Sequence, residues 1–530
     1  MLFTSYEFFG FVVVLFLAYY LLPKQCQWPL LLAASYLFYA AAGPQFLPYL
    51  LATTAATYLA GRGIGRNLAR QSAYLKEHKA ELSKEEKKAY KDHQKRIRLR
   101  WVAFCLLVDL GILVVVKYTG FLLSNVSGAL SLLGWTGELS FVSLALPLGI
   151  SFYTFQAVGY LIDVYRGTVP AEENPFKLAL FLSFFPQLIQ GPISRFGDLS
   201  KTLYGPHPFD RRTLALGLQR VLWGYFKKMV LADRVIVAVT TLIGEPGTYA
   251  GAWVPVGMLL YTFQLYADFT GGIDITIGLA QALGIHVEEN FNRPYFSKSL
   301  KEYWRRWHIS MCSWFRDYLF YPLSVSKAMQ RFTKFSRGRF GEHVGRRLPV
   351  YVSTFTVWLA TGIWHGASWN FIVWGLLNWA IMMVSEELEP HYERFHSRFA
   401  WSNGRGWQAV QVLRTFGLVC VLNYFDCFSS LGTILGLFAS LFTTSNWSIL
   451  WDGSLLELGL TGLDYGILAV GAAVLLGVSL VQRSGSVRAK VGALPYPARF
   501  VVWYGLFLVV LLMGAYGIGY DASQFIYNQF

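Results

Sequence analysis

The sequence predicts an all-α polytopic membrane protein, and three observations carry that reading. Hydrophobic residues make up 54% of the chain and charged residues only 15%, against about a quarter charged in soluble domains. Apolar windows at residues 101–123, 140–164, 252–284 and 498–517 are each as long as or longer than the ~18–20 residues that cross a bilayer. Between the windows the basic residues gather in short blocks, as they do on the cytoplasmic side of a membrane. We expect about 10–12 crossings, plus two segments that enter the membrane and return.

In chain order, three apolar segments (6–22, 28–43 and 45–61) precede the first basic block. The first carries Glu7 where a secretory signal has basic residues, and Pro23-Lys24 follows it, so it is expected to remain as a span. Residues 62–100 hold thirteen Lys/Arg against five acidic residues. This is expected to be a cytoplasmic loop containing a short charged helix, which puts the N-terminus outside. Residues 101–123 then cross outward, and 124–139 contain no Lys or Arg, in keeping with that orientation. Residues 140–165 return inward.

The stretch LALFLSFFPQLIQGP (178–192) is apolar, interrupted by proline and flanked by basic residues on both sides. It reads as re-entrant, and so does 309–323. Between them lie an amphipathic stretch at 213–243 and a span at 252–284. Downstream we expect a hairpin at 349–384, a mixed-charge loop at 385–407, a helix over about 408–427, and spans at 463–481 and 498–517.

The net charge of +15 does not mark a nucleic-acid binder, because the excess sits in membrane-flanking blocks. A second such block, 327–347, has seven Lys/Arg and one acidic residue. Five cysteines without CxxC or ligand spacing predict neither a disulfide framework nor a metal site. Walker, Rossmann, zinc and nucleophile-elbow motifs are also missing at credible places.

Ionisable residues inside spans are costly and mark candidate sites. Four clusters qualify. In the 349–384 hairpin, GIWHGASWNF (362–371) places His365 at the apex of a bend too short to reach solvent. It is either a proton acceptor or a hydrogen-bonding cap, and Trp364, Ser368 and Asn370 are its neighbours. The second cluster surrounds His308, which shares a helical face with Trp304 and Cys312 by i, i+4, i+8 spacing; an interfacial helix explains its tryptophans and arginines equally. In the third, Tyr261, Gln264 and Asp268 line one face of a span, and a structural ion pair to a Lys or Arg is the favoured reading for Asp268. The fourth is PLGISFYTFQ (147–156), where Gln156 and three hydroxyl residues suit either a site or helix–helix hydrogen bonding.

Together, PLGISFYTFQ (147–156), FFPQLIQGPI (184–193), YADFTGGIDI (266–275), ENFNRPY (289–295), EYWRRWHISMCSWFRDYL (302–319) and GIWHGASWNF (362–371) resemble the membrane-bound O-acyltransferase family. The likeness runs from about residue 5 to FIYNQF (525–530) and is to the bacterial branch that acetylates alginate. It implies helices surrounding a central tunnel, with His365 as the central catalytic residue and His308 as a second active-site residue. It also implies one integral-membrane domain over 1–530, with a catalytic core at about 140–384 and C-terminal helices at about 408–530. The implied donor is acetyl-CoA or another cytoplasmic acyl thioester, with no resident cofactor. Lys227, Lys228, Arg305 and Arg306 are candidates to meet donor phosphates. The implied surroundings are membrane lipid in a bacterial plasma membrane, an extracellular polysaccharide acceptor, and a secreted SGNH-like acyltransferase partner. Here LNYFDCFSS (422–430) stands where the branch often carries an aromatic stretch ending in arginine, which bears on the acceptor side. D-alanyl transfer to teichoic acids is the sibling expectation, and a transporter without chemistry is the alternative of another class.

Overall fold

In the computed structural model, which describes residues 2–135, 137, 139 and 145–515, every regular element is helical and no strand occurs among the described residues. The chain falls into two compact units. The first is Phe3–Ala215 with Leu279–Glu288; the second is Leu216–Gly278 with Glu289–Phe530.

The first unit begins with α1 (Tyr6–Leu21), α2 (Gln27–Ala42) and α3 (Leu47–Glu77). α2 and α3, each with its leading turn, meet at 112°. The bend falls at Gly43-Pro44, where Pro44 cannot donate a backbone hydrogen bond. α4 (Lys84–Leu113) runs on through a π turn into α5 (Thr119–Ser131). The basic stretch 62–100 is therefore not a loop with a short helix. It is the continuation of α3, a turn, and the start of α4, opened by a Ser83/Glu86 capping box. Arg98 ties the two arms by donating to Asn67 and Gln71, both at 2.8 Å.

The expected span at 140–165 is described from residue 145 onward, as a short loop and α6 (Ile150–Arg166); residues 140–144 lie outside the described residues. α7 (Pro175–Ser183) and α8 (Phe185–Gln190) fill the 178–192 stretch, and α9 (Phe196–Leu203) follows. The break at Phe184 is buried, and side chains satisfy its backbone: Phe185 N donates to Ser35 Oγ at 3.1 Å. Gln187 donates to Pro192 O and Ser194 Oγ. Irregular backbone at membrane depth requires such internal partners.

The second unit holds most of α10 (Arg211–Tyr225), α11 (Asp233–Gly244) and most of α12 (Trp253–Ala282). α13 (Leu300–Arg306), α14 (Ile309–Phe315) and α15 (Tyr321–Ser324) are short. α16 (Lys327–His365) has two halves meeting at Gly341, whose φ of 76° requires the left-handed region. α17 (Trp369–Glu387), α18 (Glu389–Arg398), α19 (Arg405–Asn423), α20 (Leu431–Thr443), α21 (Gly462–Val481), α22 (Val487–Gly492) and α23 (Tyr496–Met513) complete it. Residues 516–517 of the last expected span, and FIYNQF, lie outside the described residues.

By length and apolarity alone, three single helices could cross a membrane among the described residues, or five spans if two bent pairs each count as one. That is fewer than the 10–12 expected. The difference has a physical cause. α12 is 30 residues long but carries Gln264, Asp268, Asp274 and Gln281, while elsewhere apolar stretches are divided by backbone breaks.

Close packing in the second unit is set by glycine. A Cβ on Gly224 would lie 2.7 Å from Gly271 O, and one on Gly278 would lie 2.8 Å from Gly217 O. Glycines seven apart on both helices thus let α10 and α12 touch backbone to backbone. Gly362 and Gly375 do the same for α16 and α17.

Candidate active site

The backbone breaks between α13 and α14. Trp307 is extended, and His308 adopts φ 48°, ψ 52°. Histidine visits this left-handed region more readily than most residues. His308, Trp304 and Cys312 therefore do not share a helical face as expected, because two helices, not one, carry them.

Asn290 holds the break in place. Its Nδ2 lies 3.3 Å from His308 Nδ1, its Oδ1 accepts from Ser310 N at 2.9 Å, and its carbonyl accepts from Ile309 N at 3.0 Å. With Asn290 donating, Nδ1 is the acceptor and the neutral ring carries its proton on Nε2. Asn290 and His308 are 0% and 1% exposed, so the arrangement is built into the core of the unit.

Aromatic rings enclose the imidazole. Phe269 meets His308 edge-on at 4.9 Å between centroids, and Phe291 and Trp307 pack behind Phe269 at 4.9 and 5.7 Å. On another side is Trp364, at 6.0 Å from His308 and 5.0 Å from His365. Two imidazoles from two separate breaks therefore contact one indole.

His365 is the last residue of α16, and Gly366 leaves the helix extended. The bend is Gly366–Ser368, and Gly362 remains helical against α17. His365 packs against Trp374 at 4.5 Å and lies parallel to Phe371 at 6.3 Å. Trp374, Trp358 and Trp304 form a second aromatic group, in which Trp304 Nε1 donates to Asn378 Oδ1 at 3.0 Å.

Two groups of ion pairs join α12 to neighbouring segments of the same unit. Lys228 bridges Asp268 at 2.6 Å and Asp233 at 2.7 Å. Lys227 meets Asp274 at 2.6 Å, and Arg220 joins Asp274 at 2.8 Å to Glu289 at 2.5 Å. Glu289 adjoins Asn290, so the network anchors the segment that holds His308. The ion-pair reading of Asp268 thus gains a named partner. Lys227 and Lys228, candidates to meet donor phosphates, are at most 4% exposed and are paired with carboxylates. Arg305 is exposed, and Arg306 pairs with Glu302 at 2.5 Å.

Tyr261 and Gln264 are buried on α12, two turns and one turn from Asp268 respectively. Asn370 donates to Phe425 O at 2.9 Å and Ser368 to Ser429 O at 3.5 Å, so both fasten the 424–430 segment beside the bend. Gln156 is buried in α6 of the first unit. Among the described residues no three His, Cys, Asp or Glu side chains gather as a metal site. Asn290, Phe269, Glu289 and Trp374 were not anticipated. Asn290 sits within ENFNRPY, and its signal was an amide beside two aromatics and a carboxylate.

An all-helical membrane fold with paired histidines at backbone breaks defines a class, and comparison with known proteins gives it a family. Residues 171–338, which include His308 and the ion-pair network, match the model of MBOAT, the membrane-bound O-acyltransferase family. The chain is 36% identical to the probable alginate O-acetylase AlgI of Azotobacter vinelandii, over 71% of this chain and 66% of that protein, just under two thirds of its length. It is 31% identical to the peptidoglycan O-acetyltransferase of Helicobacter pylori (strain ATCC 700392 / 26695), over 73% of this chain and 71% of that one. It is 26% identical to the teichoic acid D-alanyltransferase of Bacillus subtilis (strain 168), over 52% of this chain and 66% of that one. The chain belongs to the membrane-bound O-acyltransferase family.

Proposed function

We propose that the protein is an O-acetyltransferase that takes an acetyl group from a cytoplasmic thioester, acetyl-CoA as first choice, toward the hydroxyl groups of an extracellular polysaccharide. The observation that carries this reading is the pair His308 and His365, each presented by a broken or ended helix and both in contact with Trp364.

The chemistry asked of them is modest. A neutral His365 accepts the acceptor hydroxyl proton as the oxygen attacks the thioester carbonyl. The new C–O bond forms, the C–S bond breaks, and the proton passes to the departing thiolate. General base catalysis supplies ~10²–10⁴-fold, and alignment of the reactants in a site walled by tryptophan and phenylalanine supplies much of the rest. His308, held by Asn290, acts from the second side of Trp364. The reading includes a tunnel through which donor and acceptor reach the histidines. It also includes a bacterial plasma membrane location with the N-terminus outside, and an SGNH-like secreted partner that completes transfer to the polymer. The names of the alginate and peptidoglycan relatives support a polysaccharide acceptor.

D-alanyl transfer from a carrier protein is the second reading, favoured by the teichoic acid relative. Membranes containing the protein are supplied with labelled acetyl-CoA or with labelled carrier-bound D-alanine. Acetyl transfer is expected; transfer from the carrier alone would sink the first reading. A His365→Ala protein that still supports full acylation would remove the catalytic assignment and favour transport without chemistry.

A further inference from the structure

Within the second unit lies a cavity of about 1270 Å³ that the ion-pair network only borders. Its long wall is apolar: Leu463, Ile467, Val470, Val474 and Val478 from α21 face Val502, Leu506 and Val509 from α23. Its other end is charged, with Arg220, Arg293 and Arg488 beside Asp274 and Glu289. Small-molecule sites usually enclose ~300–1,000 Å³, so this space is large for a metabolite.

Not every cation at that end has a carboxylate within salt-bridge distance. Arg220 is matched by Asp274 and Glu289. Among the described residues no carboxylate lies within salt-bridge distance of Arg293 or Arg483. Partial burial and the neighbouring guanidiniums of Arg306 and Arg483 hold Arg293 below the usual arginine range. Its backbone is fixed at φ 47°, a conformation rare outside glycine. Arg306 is itself paired with Glu302, so Arg293 is the cation of this group that an anion would complete.

The apolar wall says where that anion comes from. α23 is apolar enough to span a membrane, and 0% of its most apolar window is buried. A groove walled by such a helix opens to hydrocarbon, not to water. An apolar wall of this length suits the acyl chains of a membrane lipid, which is already there.

We infer that this groove seats one anionic glycerophospholipid, its phosphate between Arg293 and Arg488 and its acyl chains along α21 and α23. Phe291 and Ile309, close to His308, also line the groove, and the inference does not rest on acyl transfer. The lipid fills the groove and neutralises the cationic end, steadying the loop that leads from Glu289 to the His308 break.

The test uses the full chain in nanodiscs of phosphatidylethanolamine and phosphatidylglycerol, with a trace of phosphatidylglycerol bearing a photoactivatable acyl chain. Irradiation is expected to label peptides from 463–482 and 496–513 in preference to α4, which is also apolar and exposed. Arg293→Gln with Arg488→Gln is expected to lower that labelling at least about tenfold, the loss of two charge-assisted contacts. Val474→Trp, which fills the groove and leaves every arginine in place, should lower it similarly in a protein whose melting temperature is unchanged. Equal labelling by a phosphatidylcholine probe would overturn the inference, since the groove would then be ordinary bilayer-facing surface. So would complete displacement of the label by acetyl-CoA, which would give the groove to the donor. Cross-linking of benzoylphenylalanine at position 474 to residues 516–530 would overturn it too, because the chain's own tail would then fill the space.

Discussion

His308 combines two costly features, a left-handed backbone and a buried imidazole. Residues held in such conformations cost of order 1–3 kcal/mol, and functional sites are where that cost recurs. Separate substitutions can divide the two features. Asparagine also tolerates the left-handed region, so His308→Asn is expected to melt near the wild type and to lose acyl transfer. His308→Val puts a β-branched residue at φ 48° and should lower stability by about 1–3 kcal/mol. Thermal melts in detergent, beside acetyl transfer in membranes, check both. Asn290→Ala acts through the ring and not on substrate. It leaves Ser310 N without its acceptor and removes the donor to Nδ1, which costs about 1–3 kcal/mol for the buried groups. The expected signature is a fall in kcat with KM little changed. An equal fall for the Asn290→Asp variant at every pH would instead make Asn290 a purely structural residue.

At the scale of elements, the contact of α10 and α12 decides whether the ion pairs can form. Gly217, Gly224, Gly271 and Gly278 remove the side chains that would hold the helices apart, and the π turn Phe226–Ala232 carries both lysines toward α12. Gly224→Leu should cost more than the ~1–3 kcal/mol of ordinary overpacking, because its Cβ would meet backbone that cannot rotate away. Lys228→Met leaves Asp268 and Asp233 buried near each other without a cation and should cost about 3–5 kcal/mol. Lys228→Arg should recover part of that loss. Melting temperature by light scattering reads all three. The same elements show how far sequence reaches. A carboxylate inside an apolar run announced Asp268, and a histidine between glycines announced His365, because composition alone makes such residues anomalous. The partner of Asp268 was not legible, since nothing in local spacing says that Lys227 and Lys228 turn inward; that depends on a π turn and on glycine contacts between helices. The His308 break was hidden for a similar reason. Helical periodicity runs unbroken through WRRWHISM, and only the clamp from Asn290, eighteen residues away, selects two helices over one.

At the scale of the whole molecule, the distribution of charge relative to apolar helices fixes how the chain sits in a membrane. The tip between α3 and α4 carries lysine at positions 76, 79, 84, 87 and 88, and the turn after α5 carries none. Cytoplasmic segments hold the excess of Lys and Arg, which predicts the tip inside and the turn outside. The helical hairpin strengthens the case over a loop, because it holds those lysines on a rigid projection well clear of the apolar part of α4. With α4 and α5 as one apolar passage, described as a single 48-residue helical run, the two ends must lie on opposite sides. Replacing the five cysteines with serine or alanine and introducing Lys79→Cys or Leu133→Cys gives two reporters. A membrane-impermeant maleimide added to intact cells is expected to label position 133 and to reach position 79 only after the membrane is opened. Labelling of position 79 in intact cells would invert the orientation proposed for α3, α4 and α5. Labelling of both positions in intact cells would mean that α4 and α5 do not cross at all.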